Sequence, residues 1–150
     1  MPYINRSKGT IYGTPAWITK KYLPSRYLDV APYPWDKTVW NGLTHAWSST
    51  QVNYCNPPFG DLSKGWSQKV KKEAEFGKRI CLMMPIRSGS KYTRSDLLPF
   101  CCHLVLLPKI KFIDHEDVCN VKGVCPTAVC LMYFNYKPEN LTSLNCTLSL

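Results

Sequence analysis

Apolar residues fall along the chain in short runs that predict strands. RICLMMP, residues 79–85, is continuously apolar after Arg79 and of strand length, as is typical of a strand covered on both faces. RYLDVA at 26–31 and VNYC at 52–55 predict earlier strands. Three further runs, HLVLLP at 103–108, KIKF at 109–112 and AVCLMYF at 128–134, predict later ones.

Two segments carry helical patterns instead. GTPAWITKKYLP at 13–24 predicts a short helix with Thr14 as its cap, Pro15 in its first turn and an end before Pro24. A second, amphipathic helix closed by Gly77 is indicated by apolar residues that recur every four positions, Leu62, Trp66, Val70 and Ala74. Strands alternating with helices argue for an α/β sheet, and 150 residues are most consistent with one domain.

The stretch VNYCNPPF at 52–59 ends a predicted strand on two prolines. Proline fixes its own φ, removes an amide donor and holds the preceding residue extended, so the pair makes a rigid ledge. We expect the ledge to hold Asn56 and Phe59 in fixed directions. In an open α/β sheet, ligands bind at the carboxyl ends of the strands. Three segments are predicted to meet there, 29–34, 56–59 and 85–94.

Composition points to a polyanionic partner. Nineteen Lys and Arg against ten Asp and Glu give a net charge of +9, and aromatics make up 13% of the chain. Phosphates contact basic side chains and bases stack on aromatic rings, so this combination favours nucleic-acid binding over a merely solubilising surface.

Other classes are disfavoured. No segment has the roughly 20 apolar residues of a membrane helix, and the N-terminus MPYINRSKGT has no apolar signal-peptide core. We therefore expect an intracellular protein without a membrane partner, whose eight cysteines are reduced, mostly buried thiols and whose sequons at Asn140 and Asn145 are chance matches. No C-x-x-C pair is present, so no metal is expected.

The ledge suits one chemistry in particular. The exocyclic amine of adenine is a poor nucleophile because its lone pair is delocalised into the ring. Two acceptors, the Asn56 side-chain carbonyl and the Pro57 backbone carbonyl, could take both amine hydrogens and return the lone pair to nitrogen. Phe59 would stack on the base and align the amine with a sulfonium methyl group. A proline-rich turn at a strand end is the structural alternative.

The chain also resembles the phage-type, Dam-like DNA adenine methyltransferases. The matching motifs are collinear over residues 12–136. They are GTPAW at 13–17, YLDVA at 27–31, NGLTHAW at 41–47, NYCNPPF at 53–59, LMMPIRSGSKY at 82–92, KIKF at 109–112 and CPTAVCLMYF at 125–134.

The resemblance implies a compact Rossmann-like fold with one central sheet flanked by helices, dependent on S-adenosylmethionine. The methyltransferase domain would span 12–136, between a loose basic segment 1–11 and a tail 137–150. Asn56, Pro57, Pro58 and Phe59 would be catalytic. The S-adenosylmethionine pocket would be lined by Thr14, Pro15, Asp29, Val30 and Ala31. An origin in a virus or mobile element would follow.

The DNA partner must present a flipped adenine, because a duplex hides the amine. Candidate DNA contacts are Lys64, Lys69, Lys71, Lys72, Arg87, Lys91, Tyr92 and Arg94. Taken singly, each lysine is better explained as solvated surface, and the helical stripe favours core packing for Trp66. Asp29 is equally consistent with a turn cap.

The sequence departs from the family pattern. Phe59 stands where Tyr is commoner, no G-x-G loop is present, and Pro108 and Lys109 stand where Gly and Arg are frequent. Alternatives therefore stay open: a methyltransferase acting on RNA adenine or protein glutamine, or an inactive nucleic-acid-binding module. The recognition site and oligomeric state are not determined by the sequence.

Overall fold

The structure, a computed structural model, describes residues 13–32, 38, 40–110, 128–138 and 147–149. It is an α/β fold with one mixed sheet. The strands are β1 (Tyr27–Asp29), β2 (Val52–Cys55), β3 (Ile80–Pro85), β4 (His103–Leu106), β5 (Val129–Phe134) and β6 (Thr147–Ser149). The helices are α1 (Ala16–Tyr22) and α2 (Ser67–Glu75).

The strand order is β1-β2-β3-β5-β4-β6. β1, β2 and β3 run parallel, whereas β5 is antiparallel to both of its neighbours and β6 is antiparallel to β4. β3 and β5 are buried at every position, as the continuous apolar runs predict for central strands. The predicted α/β class and the strands of these two runs are therefore confirmed.

The amphipathic stripe is buried as predicted, with Trp66 and Val70 almost inaccessible to solvent. The regular helix begins only at Ser67, because the preceding turn Leu62–Trp66 has non-helical backbone angles at Lys64 and Gly65. α2 ends before Gly77, whose φ of +79° is the left-handed conformation that commonly closes a helix.

One prediction about the later strands needs correction. Lys109 and Ile110 lie outside any strand, and the remainder of KIKF lies outside the described residues. Within the tail 137–150 the structure adds the short strand β6, which pairs with β4 from Val105↔Thr147 to His103↔Ser149. Only one of its three residues, Leu148, is apolar, which is too little pattern to predict an edge strand.

Several predicted features lie outside the described residues. They are the basic segment 1–11, the last two residues of the segment 29–34, the first three residues of CPTAVCLMYF, and the sequon residues Asn140 and Asn145.

Candidate active site

The carboxyl ends of β1, β2 and β3 meet at one edge of the sheet. The three strands are parallel, so Asp29, Asn56 and Ile86 follow one another along this edge. Val30 N–H donates to the Tyr54 carbonyl at 2.9 Å, which fixes the exit of β1 against the end of β2. The structure therefore brings together the ends of the three segments that the sequence predicted to meet.

The ledge is a turn that β2 cannot continue. Proline has no N–H for a ladder, so strand pairing stops at Cys55. Pro58 has φ −57° and ψ 120°, and its carbonyl accepts the Asp61 N–H at 2.9 Å, which starts the short turn Phe59–Asp61. The Asp61 N–H is thus bonded to the second prolyl carbonyl and not to that of Pro57.

Asn56 lies on the α1 face of the sheet. Residues paired directly across a ladder project to the same side, so Asp29, Tyr54, Cys81 and Tyr133 share one face. The Tyr133 hydroxyl donates to the Tyr22 carbonyl at 3.3 Å, which puts α1 over this face. Asn56 is two residues beyond Tyr54 on this face, and it hydrogen-bonds to Thr14, which lies just before α1.

Thr14 does not cap the helix α1 as the sequence predicted. Pro15 is the residue at the N-cap of α1, and no side chain caps the helix. The Thr14 hydroxyl instead accepts a hydrogen bond from Asn56 Nδ2 at 3.1 Å and lies 2.6 Å from the Tyr54 hydroxyl. Thr14 therefore contacts the ledge through its hydroxyl, and its place in the cofactor pocket stays a prediction.

Asp29 is a carboxyl group in an unfavourable environment. Burial raises its pKa to about 6 from an ordinary 3.8, and the hydrogen bond from Ala31 N–H at 3.0 Å offsets only part of this. Among the described residues, no Lys or Arg forms an ion pair with it. Val30 and Ala31 are buried beside it. A buried carboxyl group with a raised pKa at the carboxyl edge of a parallel sheet is a candidate functional position.

The ledge itself is covered. Asn56 and Phe59 each expose 4% of their surface, and Pro57 and Pro58 are also buried. The sequence predicted an accessible Phe59 that stacks on a base. Because both side chains are buried, a base could contact Asn56 or Phe59 only after a rearrangement that exposes them.

The segment 40–47 packs against the end of β1 at Val30, a contact that the sequence did not reveal. A Cβ on Gly42 would overlap the carbonyl oxygen of Val30. Trp40 Nε1 donates to the same carbonyl at 3.3 Å, and Trp47 Nε1 donates to the Gly42 carbonyl at 2.8 Å. The close approach of Gly42 therefore helps to fix Val30 next to Asp29.

The predicted DNA contacts divide into two groups. Lys91 is exposed and Arg87 is partly exposed, and both follow β3 at the carboxyl edge. The exposed Arg94 lies farther along, in the turn Thr93–Leu97, which packs against α2 and whose Asp96 accepts the Ser67 hydroxyl at 3.2 Å. The lysines of α2 lie over the opposite face from Asn56. Asn53, whose side chain is on that opposite face, accepts the N–H of Ser48, and Lys69 lies over the neighbouring Trp47 ring at 5.8 Å.

Lys64, in the turn before α2, and Lys72, on α2, are exposed, whereas Lys71 is half-buried with its ammonium over the Phe100 ring at 5.7 Å. Trp66 is in the core, as its position on the stripe favoured. Tyr92 packs against the core with a buried hydroxyl, so its ring is not a stacking platform in this structure.

Lys69 has a structural role in place of the predicted DNA contact. Its ammonium lies 2.8 Å from Glu73 Oε1, and Lys78 lies 2.5 Å from Oε2 of the same carboxylate. Burial acts to raise the pKa of Glu73, but the hydrogen bonds and charges of the two lysines outweigh it, and the pKa lies below its ordinary 4.5. The i, i+4 spacing of Lys69 and Glu73 was the signal for this pair.

The thiol nearest the ledge is a poor nucleophile: Cys55, the last residue of β2, is fully buried, and burial raises its pKa well above the ordinary 9.0. Burial raises the pKa of Cys81 and Cys130 to about 12 and that of Cys101 to about 11, so these unpaired thiols stay protonated. His45 stacks on Trp40, with ring centres 4.3 Å apart. Burial, together with the charge of Lys137, lowers the pKa of His103.

Within the described residues, no group of three or more His, Cys, Asp or Glu side chains could hold a metal ion. Over the same ranges, no helix has both the length and the apolar character to cross a membrane.

Comparisons of the chain with protein-family models, with curated proteins and with solved structures found no match. The chemistry of the edge formed by Asp29 and the ledge is therefore what indicates a function for this chain.

Proposed function

We propose that this chain is an S-adenosylmethionine-dependent methyltransferase that methylates the exocyclic amine of adenine in DNA. One observation carries the proposal. The Asn-Pro-Pro-Phe ledge follows β2 at the carboxyl edge of a parallel strand pair, and Asp29 ends the neighbouring strand on the same face. Ligands of open α/β sheets bind at this edge.

The sheet supports the finer fold assignment. We propose a Rossmann-like methyltransferase fold, in which the parallel strands β1, β2 and β3 present the site. The insertion of the antiparallel β5 between β3 and β4 is consistent with that fold. The sheet order alone does not define the reaction, because one fold hosts many chemistries.

The residues around Asp29 fit the cofactor chemically. When bound, S-adenosylmethionine supplies an electrophilic methyl group on a sulfonium sulfur. The Asp29 carboxylate can accept hydrogen bonds from cofactor hydroxyls or pair with the cofactor ammonium, and either contact would compensate for its burial. Val30 and Ala31 supply an apolar wall, and Thr14 and Pro15 lie on the same face.

The ledge performs the activation. Asn56 Oδ1 and the Pro57 carbonyl accept the two amine hydrogens, so the nitrogen lone pair leaves the ring and becomes available for attack. Transfer would form a bond between the amine nitrogen and the methyl carbon as the carbon–sulfur bond breaks, leaving a neutral thioether, and the extra proton on nitrogen would pass to water. Phe59 holds the base by stacking, which requires the covered ledge to open. Positioning accounts for much of the rate in such a site.

DNA is the preferred substrate class because of the charge. A net charge of +9 favours a polyanion over a protein glutamine, and RNA adenine shares the same reactive amine. Incubation of the full chain with methyl-labelled S-adenosylmethionine and DNA, RNA or protein should label DNA. Label in RNA or protein alone would redirect the assignment to that polymer.

A second candidate, a nucleic-acid-binding module without turnover, is favoured by the burial of Asn56 and Phe59. If the ledge never opens, DNA binds but no polymer takes up label. That pattern, obtained with S-adenosylmethionine at saturating concentration, would replace the enzyme proposal with the binding module.

Asp29→Asn should stabilise the protein at neutral pH and weaken cofactor binding. Because the folded-state pKa of Asp29 is about 6, its contribution to stability is fully present below its ordinary pKa of 3.8. This contribution is lost as the pH rises through 6. Asparagine can still accept the Ala31 N–H but carries no charge. Urea unfolding should show a gain of about 1–3 kcal/mol at pH 7.5 and little gain at pH 3.8.

Titration calorimetry at pH 7.5 should show weaker S-adenosylmethionine binding by the same Asp29→Asn variant, by about tenfold or more, because a charge-assisted hydrogen bond is lost. An equal stability difference at both pH values would contradict the raised pKa. Unchanged cofactor affinity would remove Asp29 from the pocket.

Replacing Arg87 and Lys91 with glutamine should reduce the salt dependence of DNA binding. Both residues follow β3 at the carboxyl edge. Each lost phosphate contact lowers the slope of log K against log salt by about 0.9, so the pair should lower it by about 2. Fluorescence anisotropy with a labelled duplex between 50 and 200 mM salt would measure the slope.

The double replacement of Lys71 and Lys72 is the matched comparison. These residues lie on α2, which runs away from the carboxyl edge, so their loss should change the slope less. If the Lys71 and Lys72 pair lowered the slope by about 2 and the Arg87 and Lys91 pair did not, the DNA would lie along α2 instead.

A further inference from the structure

A continuous chain of side-chain hydrogen bonds connects the ledge to the middle of the sheet. Asn56 Nδ2 donates to Thr14 Oγ1 at 3.1 Å, and the Thr14 hydroxyl lies 2.6 Å from the Tyr54 hydroxyl. The Tyr54 hydroxyl in turn points to Met83 Sδ at 3.7 Å. Four residues, from the segment before α1, from β2 and the ledge, and from β3, therefore form one chain.

The two ends of this chain determine its direction. An amide nitrogen only donates hydrogen bonds and a thioether sulfur only accepts them. Each hydroxyl between them therefore accepts from the Asn56 side and donates toward Met83. Burial raises the pKa of Tyr54 well above its ordinary 10.0, and its hydrogen bond with Thr14 offsets only part of the rise. The phenol thus keeps the proton that it donates.

We propose that Thr14 and Tyr54 are positioning residues that fix which way the Asn56 amide points. Nδ2 is held against Thr14, so Oδ1 lies on the opposite side of the planar amide. In the reversed orientation, the Tyr54 proton would have to turn toward Thr14, and the contact with Met83 would be lost. The catalytic consequence rests on the proposed function, whereas the orientation of the amide does not.

The orientation decides whether Asn56 can act. Its Oδ1 attracts an amine hydrogen, whereas its NH₂ group repels one. An amide free to rotate would present either group, and part of the protein would be unable to activate the base. Fixing the acceptor beforehand avoids this loss, as in other sites where hydrogen-bonding groups are held in place before reaction.

Nuclear magnetic resonance of the ¹⁵N-labelled full chain tests the orientation without any activity. The side-chain amide signals of Asn56 are identified by their loss in Asn56→Ala. Thr14→Val should shift these signals and speed their exchange with water about tenfold, because a buried hydrogen bond is lost. Tyr54→Phe should act in the same direction with a smaller effect, and Thr14→Ser should resemble the wild type.

Tyr133→Phe is the matched control. It removes another buried phenol hydroxyl on the same face, one that bonds to the Tyr22 carbonyl and not to the ledge. The Asn56 signals should not change in this variant. Signals that are the same in Thr14→Val as in the wild type would overturn the inference, as would equal shifts in Tyr133→Phe. If Thr14→Val does not fold, Tyr54→Phe decides alone.

Kinetics test the consequence for the reaction. Tyr54→Phe should lower kcat about tenfold and leave KM for S-adenosylmethionine within about twofold, since a lost positioning contact acts on the chemical step. Thr14→Ser should recover most of the kcat lost in Thr14→Val. Wild-type kcat in Tyr54→Phe would overturn the positioning role. If the wild-type protein labels no polymer, the proposed function fails, while the Asn56 signals still decide the orientation.

Discussion

Asn56→Ala should reduce methyl transfer to DNA by about a thousandfold or more, the upper range for removing one group that stabilises charge in a transition state. The variant loses the side-chain acceptor for the amine and keeps the prolines and Phe59. Because Asn56 is 4% exposed and bonded to Thr14, the loss of this contact should also cost about 1–2 kcal/mol of stability. Single-turnover label transfer and urea unfolding measure the two effects. Near-normal turnover would defeat the proposed mechanism.

Asn53→Ala separates chemistry from stability. Asn53 is on the same strand and fully buried, but its side chain accepts the Ser48 N–H at 2.8 Å and donates to the Ser48 and Arg79 carbonyls at 2.9 and 3.1 Å. Its loss should therefore cost more stability, about 2–3 kcal/mol, because several buried bonds are broken. Turnover per folded molecule should stay within about threefold of the wild type. A turnover loss as large as that of Asn56→Ala would show that damage to β2 is sufficient to abolish activity.

Local pattern was sufficient to predict the main elements of the sheet. The run at 80–85 is buried on both faces, and its burial follows from apolar residues at every position. The four-residue spacing from Leu62 to Ala74 likewise defines the buried stripe of the helical segment. These features depend on neighbours within a few residues, which a sequence displays directly.

The order of the strands could not be predicted from the same information. β5 lies between β3 and β4, although β4 comes before it in the chain, and β6 then joins β4 from the C-terminal segment. Such pairings depend on the relative free energies of long-range arrangements, which no local pattern encodes. The extended reading of KIKF failed for Lys109 and Ile110 for a related reason, since burial of Ile110 alone does not require a strand partner.

The candidate site shows the same division. The sequence predicted that Asp29 and Asn56 meet at one edge, because each lies at the carboxyl end of a strand and the two strands are parallel. The contact between Thr14 and Asn56 joins residues 42 positions apart, and the sequence assigned the Thr14 hydroxyl to a helix cap instead. Lys69 was predicted to contact DNA because of its charge, and charge alone does not reveal that its ammonium forms an ion pair with Glu73.

Gly42→Ala should destabilise the protein by about 3 kcal/mol or more, which is in the range for overpacking combined with a backbone shift. The new Cβ would overlap the Val30 carbonyl oxygen and approach the Trp66 ring to 3.2 Å. A backbone carbonyl cannot rotate away as a flexible side chain can, so β1 or the segment 40–47 must move. Since Val30 follows Asp29 directly, S-adenosylmethionine binding should weaken in whatever fraction remains folded.

Gly89→Ala is the matched control for this substitution, because a Cβ at Gly89 meets nothing within 4 Å. Its stability should stay within about 0.5 kcal/mol of the wild type, the usual range for surface substitutions. Urea unfolding followed by tryptophan fluorescence compares the three proteins. Equal midpoints for Gly42→Ala and Gly89→Ala would mean that Gly42 does not pack against Val30 as described. The segment 40–47 could then not be what fixes the end of β1, and the support it gives to Asp29 would have to come from elsewhere.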